Sequence, residues 1–311
     1  MIGADCYMCE SLQLHQGPGL NGLFQTQYPF SQEYDAASDT TMYTLQSNYI
    51  LHILGNHKAF PLKPEILEIL DILACKLEEN KLTRCVELTL GEALPLTGYD
   101  VTKSSKNVVR LTLQESAALL RELRVDWTEK EGRYTYSNVK LFDEITYQNS
   151  RICARFSKEM AQYLLNRPTL SLPLPLFAVS RKFPNGYLLG RRCLLHNVIN
   201  KEREPQVIRI RSLLDVCHHI PRPDSGEMWY PSTLKNKVIV PFEMTMKHLV
   251  DKHILSSWEF QTPVCRNNYD GFANGMVEFQ VRDTATPAAP TLPAKSDAEL
   301  VFDYDAFLAL R

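Results

Sequence analysis

Two stretches of this chain change character in the same way. In LLRELRVDWTEKEGRYTY (Leu119–Tyr136) an apolar helical stripe runs into a tryptophan, then a charged turn, then residues that alternate. LVDKHILSSWEF (Leu249–Phe260) repeats the opening of that pattern. A helix that passes into a strand within a few residues leaves no room for a wandering loop, so the two must pack as a corner. Trp127 and Trp258 are the side chains expected to plug these corners. Two such corners imply a repeated unit, and 311 residues carry a prior of about two domains.

The residues around each corner extend the repeat. LKPEILEILDILACKLEEN reads as a helix with a broad apolar face (Ile66, Leu67, Ile69, Leu70, Leu73, Leu77), with Glu65, Glu68, Asp71 and Glu78 opposite. CVELTL alternates as a strand, GEALPLTGY is a short helix ended by Gly98, and TKSSKNVVRLTLQESAALLREL is a longer helix. Thr112 and Glu115 have capping-box spacing, so an interruption of that helix is expected there. VDWTEKEGRYTY, VKLFDEITYQ and RICARFS follow as strands, with turns at Glu131-Gly132 and Gln148 to Ser150.

Helix, strand, helix, helix, strands is the order of a winged helix, in which a hairpin follows the recognition helix. After the Pro-spaced joint RPTLSLPLPL a second round begins with YLLGRRCLLHNVINKE, VIRIR and SLLDVCHHIP. STLKNKVIVPFEMTMKHLVDK is its long helix, with a kink or late start expected at Pro241. The fold class read here is α+β: two tandem winged-helix domains, each a three-helix core with a β-wing. The expected division is an irregular arm (1–46), a first winged helix (47–166), a second (167–283), a Pro/Ala-rich linker (284–299) and an acidic-aromatic tail (300–311).

Charge is unevenly distributed. The whole chain carries −2, but residues 101–215 hold 20 Lys and Arg against 11 Asp and Glu, a local +9. A basic middle between acidic ends is the footprint of a polyanion partner on part of the surface. No run of about 18 apolar residues exists, so no membrane span is expected. MIGADCYMCE lacks a basic region followed by an apolar stretch, so a cytoplasmic protein is expected. The eight cysteines fall mostly in apolar stretches and read as reduced; Cys6 and Cys9 form a C-x-x-C with no second pair at zinc spacing.

Enzyme signatures do not hold up. GPGLNG (Gly17–Gly22) matches G-x-G-x-x-G but follows no strand and opens no helix, and no phosphate-loop motif occurs anywhere. His218 and His219 are adjacent, and His248 and His253 are five apart, so neither pair has metal-ligand spacing on a helix. No catalytic residue, metal or cofactor is assigned.

What remains is a binding surface. DNA binding needs cations against phosphate and polar side chains at the exposed start of a helix. The first long helix supplies Lys103, Ser105, Lys106, Asn107 and Arg110, with Gln114 one turn on. The second supplies Lys235, Asn236 and Lys237, with Lys247 farther down. The wings add Lys130 and Arg133 in the first unit and Arg266 in the second, assigned to the backbone rather than to bases.

Beyond these residues, NVKLFDEITYQNSRICARFSKEMAQYL and KVIVPFEMTMKHLVDKHILSSWEF give about residues 60–283 the look of the winged-helix replication initiators of plasmids and mobile elements. The resemblance implies binding of double-stranded origin repeats, opening of neighbouring duplex, recruitment of host replication proteins and autorepression. It further implies dimerisation through the first domain. The 300–311 tail is a candidate dock for a host protein. The same fold also suits a transcriptional regulator that senses a ligand in a pocket between the domains, or an adaptor whose winged helices bind protein.

Overall fold

The computed structural model describes residues 11–24, 29–55, 62–99, 101–129, 134–179, 183–200, 206–223, 227–261 and 263–282. The chain opens with β1 (Ser11–His15), α1 (Pro18–Asn21), β2 (Ser31–Asp35), β3 (Thr40–Gln46) and β4 (Tyr49–Leu54). Then come α2 (Pro64–Cys75), β5 (Cys85–Thr89), α3 (Leu90–Leu96) and α4 (Lys103–Glu122). Four strands follow, β6 (Leu123–Glu129), β7 (Tyr134–Lys140), β8 (Phe142–Gln148) and β9 (Arg151–Phe156), closed by α5 (Lys158–Leu165). The rest holds β10 (Thr169–Pro173), α6 (Leu174–Phe177), α7 (Gly186–Ile199), β11 (Gln206–Arg209), α8 (Ile210–Leu214) and α9 (Pro231–Leu234). It ends in α10 (Val240–Asp251), β12 (Leu255–Phe260), α11 (Tyr269–Ala273) and β13 (Met276–Val281). The fold is α+β.

Two three-stranded antiparallel sheets share one plan. One has the order β5-β9-β8 and the other β11-β13-β12, so each pairs its first strand with its last. Each follows a helix, a strand, a short helix and a long helix: α2-β5-α3-α4 in one case, α7-β11-α8-α9/α10 in the other. They differ in what is inserted. In the first, β6 and β7 intervene between α4 and β8 and join a five-stranded sheet, β2-β3-β4-β6-β7. In the second, α11 sits between the last two strands.

That insertion corrects two expectations. Trp127 lies in β6 of the five-stranded sheet, whereas Trp258 lies in β12, whose counterpart is β8; the two tryptophans therefore do not occupy equivalent corners. The hairpin that begins at Trp127 is likewise part of the larger sheet, and its tip, with Lys130 and Arg133, is outside the described residues. The hairpin beside β5 is β8–β9. Its turn residues Asn149 and Ser150 have φ of 50° and 59°, the primed two-residue turn that matches strand twist.

Residues 1–46, expected to be an irregular arm, hold a strand paired across the molecule and two strands of the five-stranded sheet. β1 pairs with β10, Leu14 opposite Leu170, and β2 and β3 extend the sheet beyond β4. A boundary at 47 would cut the β3–β4 hairpin. GPGLNG, expected to follow no strand and open no helix, comes directly after β1 and contains the one-turn α1, and its glycines have a packing role. A Cβ on Gly17 would lie 2.6 Å from the Tyr163 hydroxyl, one on Gly19 2.7 Å from the Trp127 ring, and one on Gly22 2.1 Å from the Tyr49 ring. Trp127 stacks on Tyr136 at 4.3 Å and meets Tyr163 edge-on at 4.8 Å. Beneath them the buried Glu129 accepts from Trp127 Nε1 (3.0 Å), from the Tyr163 hydroxyl (2.5 Å) and from Arg167 (2.6 Å). α1 is thus pressed backbone-first onto an aromatic cluster.

Gly22→Ala is expected to lower stability by about 1–3 kcal/mol, the usual cost of forcing extra atoms into a filled core. Gly91→Ala serves as the control: its Cβ meets only Thr89 Oγ1, at 3.8 Å, and gains about 0.4–1 kcal/mol from reduced freedom of the unfolded chain. Thermal melts of both variants in opposite directions are the expected result. A neutral Gly22→Ala would refute the packing role.

α2 does not have a solvated acidic face. Glu68 and Asp71 are 2% and 0% exposed, because the face they occupy is covered by the second half of the chain. There Asp71 accepts from Arg191 Nε and the Tyr187 hydroxyl of α7, both at 2.5 Å. Arg191 also donates to Asn21, at the end of α1, and lies 3.6 Å from the centre of the Phe24 ring. One buried cluster therefore ties the opening segment, the first unit and the second. Burial pushes the Asp71 carboxyl up, against the pull of Arg191.

Candidate nucleic-acid interface

α4 runs from Lys103 to Glu122 without the break expected at Thr112, whose hydroxyl donates instead to Val108 O at 3.2 Å. The helix begins with extended backbone at Thr102, whose Oγ1 accepts from Ser105 N at 3.1 Å. The same hydroxyl donates to Ser105 Oγ, so the half-buried Ser105 takes part in the cap.

Beyond the cap the sequence separates two faces. Val109, Leu113, Ser116, Ala117 and Leu120 are buried, and the helix packs against α2, α3 and β8. Lys103, Lys106, Asn107, Arg110 and Gln114 are exposed. They fall at i, i+3, i+4, i+7 and i+11, which is one stripe of a 3.6-residue helix. Val108 (42%) and Leu111 (54%) are exposed beside them. In NVVRLTL these two sit next to or between the core positions Val109 and Leu113, so composition alone does not separate them from the core.

The charges on this stripe have no counterions among the described residues. Five arginines of the basic middle are spent internally: Arg121 on Glu122, Arg151 on Glu87, Arg155 on Glu144, Arg167 on Glu129 and Arg191 on Asp71. Among the described residues, Lys103, Lys106 and Arg110 enter no ion pair, and the first turn of α4 holds no acid. Lys103 and Lys106 stand at the start of this 20-residue helix, near the positive end of its dipole, and Arg110 follows one turn on, so the stripe presents concentrated positive charge.

The second long helix is built differently. α9 and α10 are joined by a π-helical turn, Lys235–Ile239, in which Val240 N donates to Lys235 O. Pro241 follows directly, so the expected disturbance at the proline is taken up by the wider turn before it. Lys235, Asn236 and Lys237 stand exposed on that turn, and Lys237 Nζ lies 5.5 Å from the Trp229 ring centre. Lys247 is exposed some three turns on. Met228 (92%) and Tyr230 (79%) project just ahead of α9. The signal for them was in the sequence, since MWY directly precedes a helix-starting proline.

Arg266 is not a free wing cation. Its Nη2 is 2.7 Å from Glu243 of α10, and the guanidinium lies 5.4 Å from the Phe260 ring centre. Asn268, the next polar side chain but one, caps α11 by accepting from Gly271 N at 2.7 Å. The tail at 300–311 and the linker at 284–299 are outside the described residues. No helix among the described residues is long and apolar enough to cross a membrane.

No protein-family model matches this chain, and no curated protein matches it. Among solved structures, domains 2 and 3 of RctB superpose with a TM-score of 0.48 at 7% identity, covering 85% of this chain and 98% of that one. A second structure of RctB domains 2-3 gives a TM-score of 0.38 at 8% identity, covering 83% and 96%.

Proposed function

We propose that this chain is a non-enzymatic protein that binds double-stranded DNA through two tandem winged helices, α4 and α9/α10 being their recognition helices. The observation that carries the reading is the exposed stripe of α4. Three cations without counterions alternate there with Asn107 and Gln114, side chains able to bond bidentately to adenine. Val108 and Leu111 supply apolar groups suited to thymine methyls. The shared plan of the two three-stranded sheets supports a second, equivalent contact from the same chain. Two such contacts fit successive major grooves on one face of the duplex, about one helical turn apart. The role assigned is initiation of replication at origin repeats, following the resemblance of residues 60–283 to plasmid initiators.

Footprinting on DNA flanking the protein's own gene, at two salt concentrations, is the test. Regularly spaced protected repeats that fade steeply with salt are expected. Lys106→Ala and Lys237→Ala should each flatten the log–log salt dependence by about 0.9. Unchanged slopes in both variants would remove these helices from the interface.

The cavity described below favours a second reading, a winged-helix transcriptional regulator that senses a ligand. It predicts protection of a single promoter site with no permanganate-reactive thymines beside it, whereas an initiator opens the neighbouring duplex.

A further inference from the structure

A cavity of 170 Å³ lies behind α4, on the side away from the exposed stripe. α2 contributes Glu65 and Glu68, α4 contributes Val109 and Thr112, and Phe177 closes it from the second half of the chain. Glu68 is 2% exposed, and its Oε1 atom has no hydrogen-bond partner. A buried acceptor without a donor is costly, and native interiors seldom leave one so. Burial, with Glu65 and Asp71 close by, raises its carboxyl well above the ordinary range.

Tyr99 also lines the wall, and the two threonine hydroxyls there are already engaged. Thr97 Oγ1 donates to Ala93 O at 2.7 Å, and Thr112 Oγ1 donates to Val108 O at 3.2 Å. That leaves a space of mixed lining with an unpartnered acceptor inside it and a second carboxylate, the exposed Glu65, at its rim. A sugar or nucleotide would find too few partners. A metal would find too few ligands, since no group of three or more His, Cys, Asp or Glu side chains among the described residues could hold one.

We infer that this cavity is a binding site for a short alkyl diammonium, one ammonium donating to Glu68 and the other to Glu65. Size agrees, because a dry cavity of about 150 Å³ accommodates benzene, so the occupant has roughly six heavy atoms. Glu65 and Glu68 are i and i+3 on α2, which sets their Cβ atoms about 5–6 Å apart and suits four carbons between two nitrogens. α4 forms one wall, so the occupant is in contact with the back of the helix whose front carries the cations.

Titration calorimetry of the full chain with butane-1,4-diamine, in the absence of DNA, tests this. One site per chain is expected. Glu68→Gln, which keeps the shape of the side chain, should weaken binding at least tenfold. Val109→Leu, which fills the space without touching charge, should do the same, and thermal melts confirm that each variant is folded. Butane-1,4-diol should give no heat. The proposal is overturned by diamine affinity unchanged in both variants, by equal binding of the diol, or by no binding below about 10 mM, which would leave the cavity to water. No DNA enters the titration, so its failure is separate from failure of the DNA-binding reading.

Discussion

Arg191→Met is expected to destabilise the protein by about 3–5 kcal/mol, read as a lower urea midpoint. The side chain is 2% exposed and its partner Asp71 0%. Methionine retains much of the stem volume but strands the carboxylate in an apolar interior, where desolvation is no longer offset by the guanidinium. Asn21 loses its donor as well, and Phe24 loses the cation lying against its ring. The double variant Asp71→Leu, Arg191→Met should recover most of the loss, since a buried ion pair replaced by apolar groups of similar size is often neutral or better. Recovery identifies the cost as that of an unpaired charge. A single variant with an unaltered midpoint would show that this cluster does not hold the halves together.

Replacing Lys103, Lys106 and Arg110 together with alanine should weaken DNA binding roughly 10²- to 10³-fold at about 0.1 M salt. Each phosphate contact is worth about 0.9 of a decade per decade of salt, so three contacts also flatten the salt slope by about 2.7. The matched control removes Lys63 and Lys76, whose ammonium groups are 2.7 Å from Glu115 and Glu92. Those charges are already neutralised within the protein, and the slope should not move. Losses in proportion to the charges removed, three against two, would mean that net charge alone governs the affinity, and the α4 stripe would lose its special status.

The local signals in the sequence were read well where a few residues decide the outcome. TKSSKNVVRLTLQESAALLREL reads as a long helix from its periodicity and forms α4, although its cap is Thr102 and not the expected Thr112. Gln148 to Ser150 marks a turn, and it closes β8–β9. Misreadings came from partners distant in sequence. Asp71 and Glu68 look solvated on α2, and only the arrival of α7 and Phe177 buries them. β1 carries too short a pattern to announce a strand, and its partner is 158 positions away. The cations of α4 were legible because the helix period alone separates them from the core. Arg266 looks like a free wing cation because nothing local reveals its ion pair with Glu243.

The pairing of β1 with β10 also has a consequence for how the chain is made. Gln13 and Ser171, joined side chain to side chain across this ladder, are 158 positions apart. At a synthesis rate of about 5–20 residues per second, the first strand waits roughly 8–30 s for its partner to emerge. α1 waits nearly as long, because Tyr163, against which Gly17 and Gly19 pack, emerges only shortly before β10. Over that interval Leu12, Leu14, Leu20 and Leu23 have no finished core to enter, although three of them end at 0–1% exposure. This early segment thus stays undocked until β10 has been made.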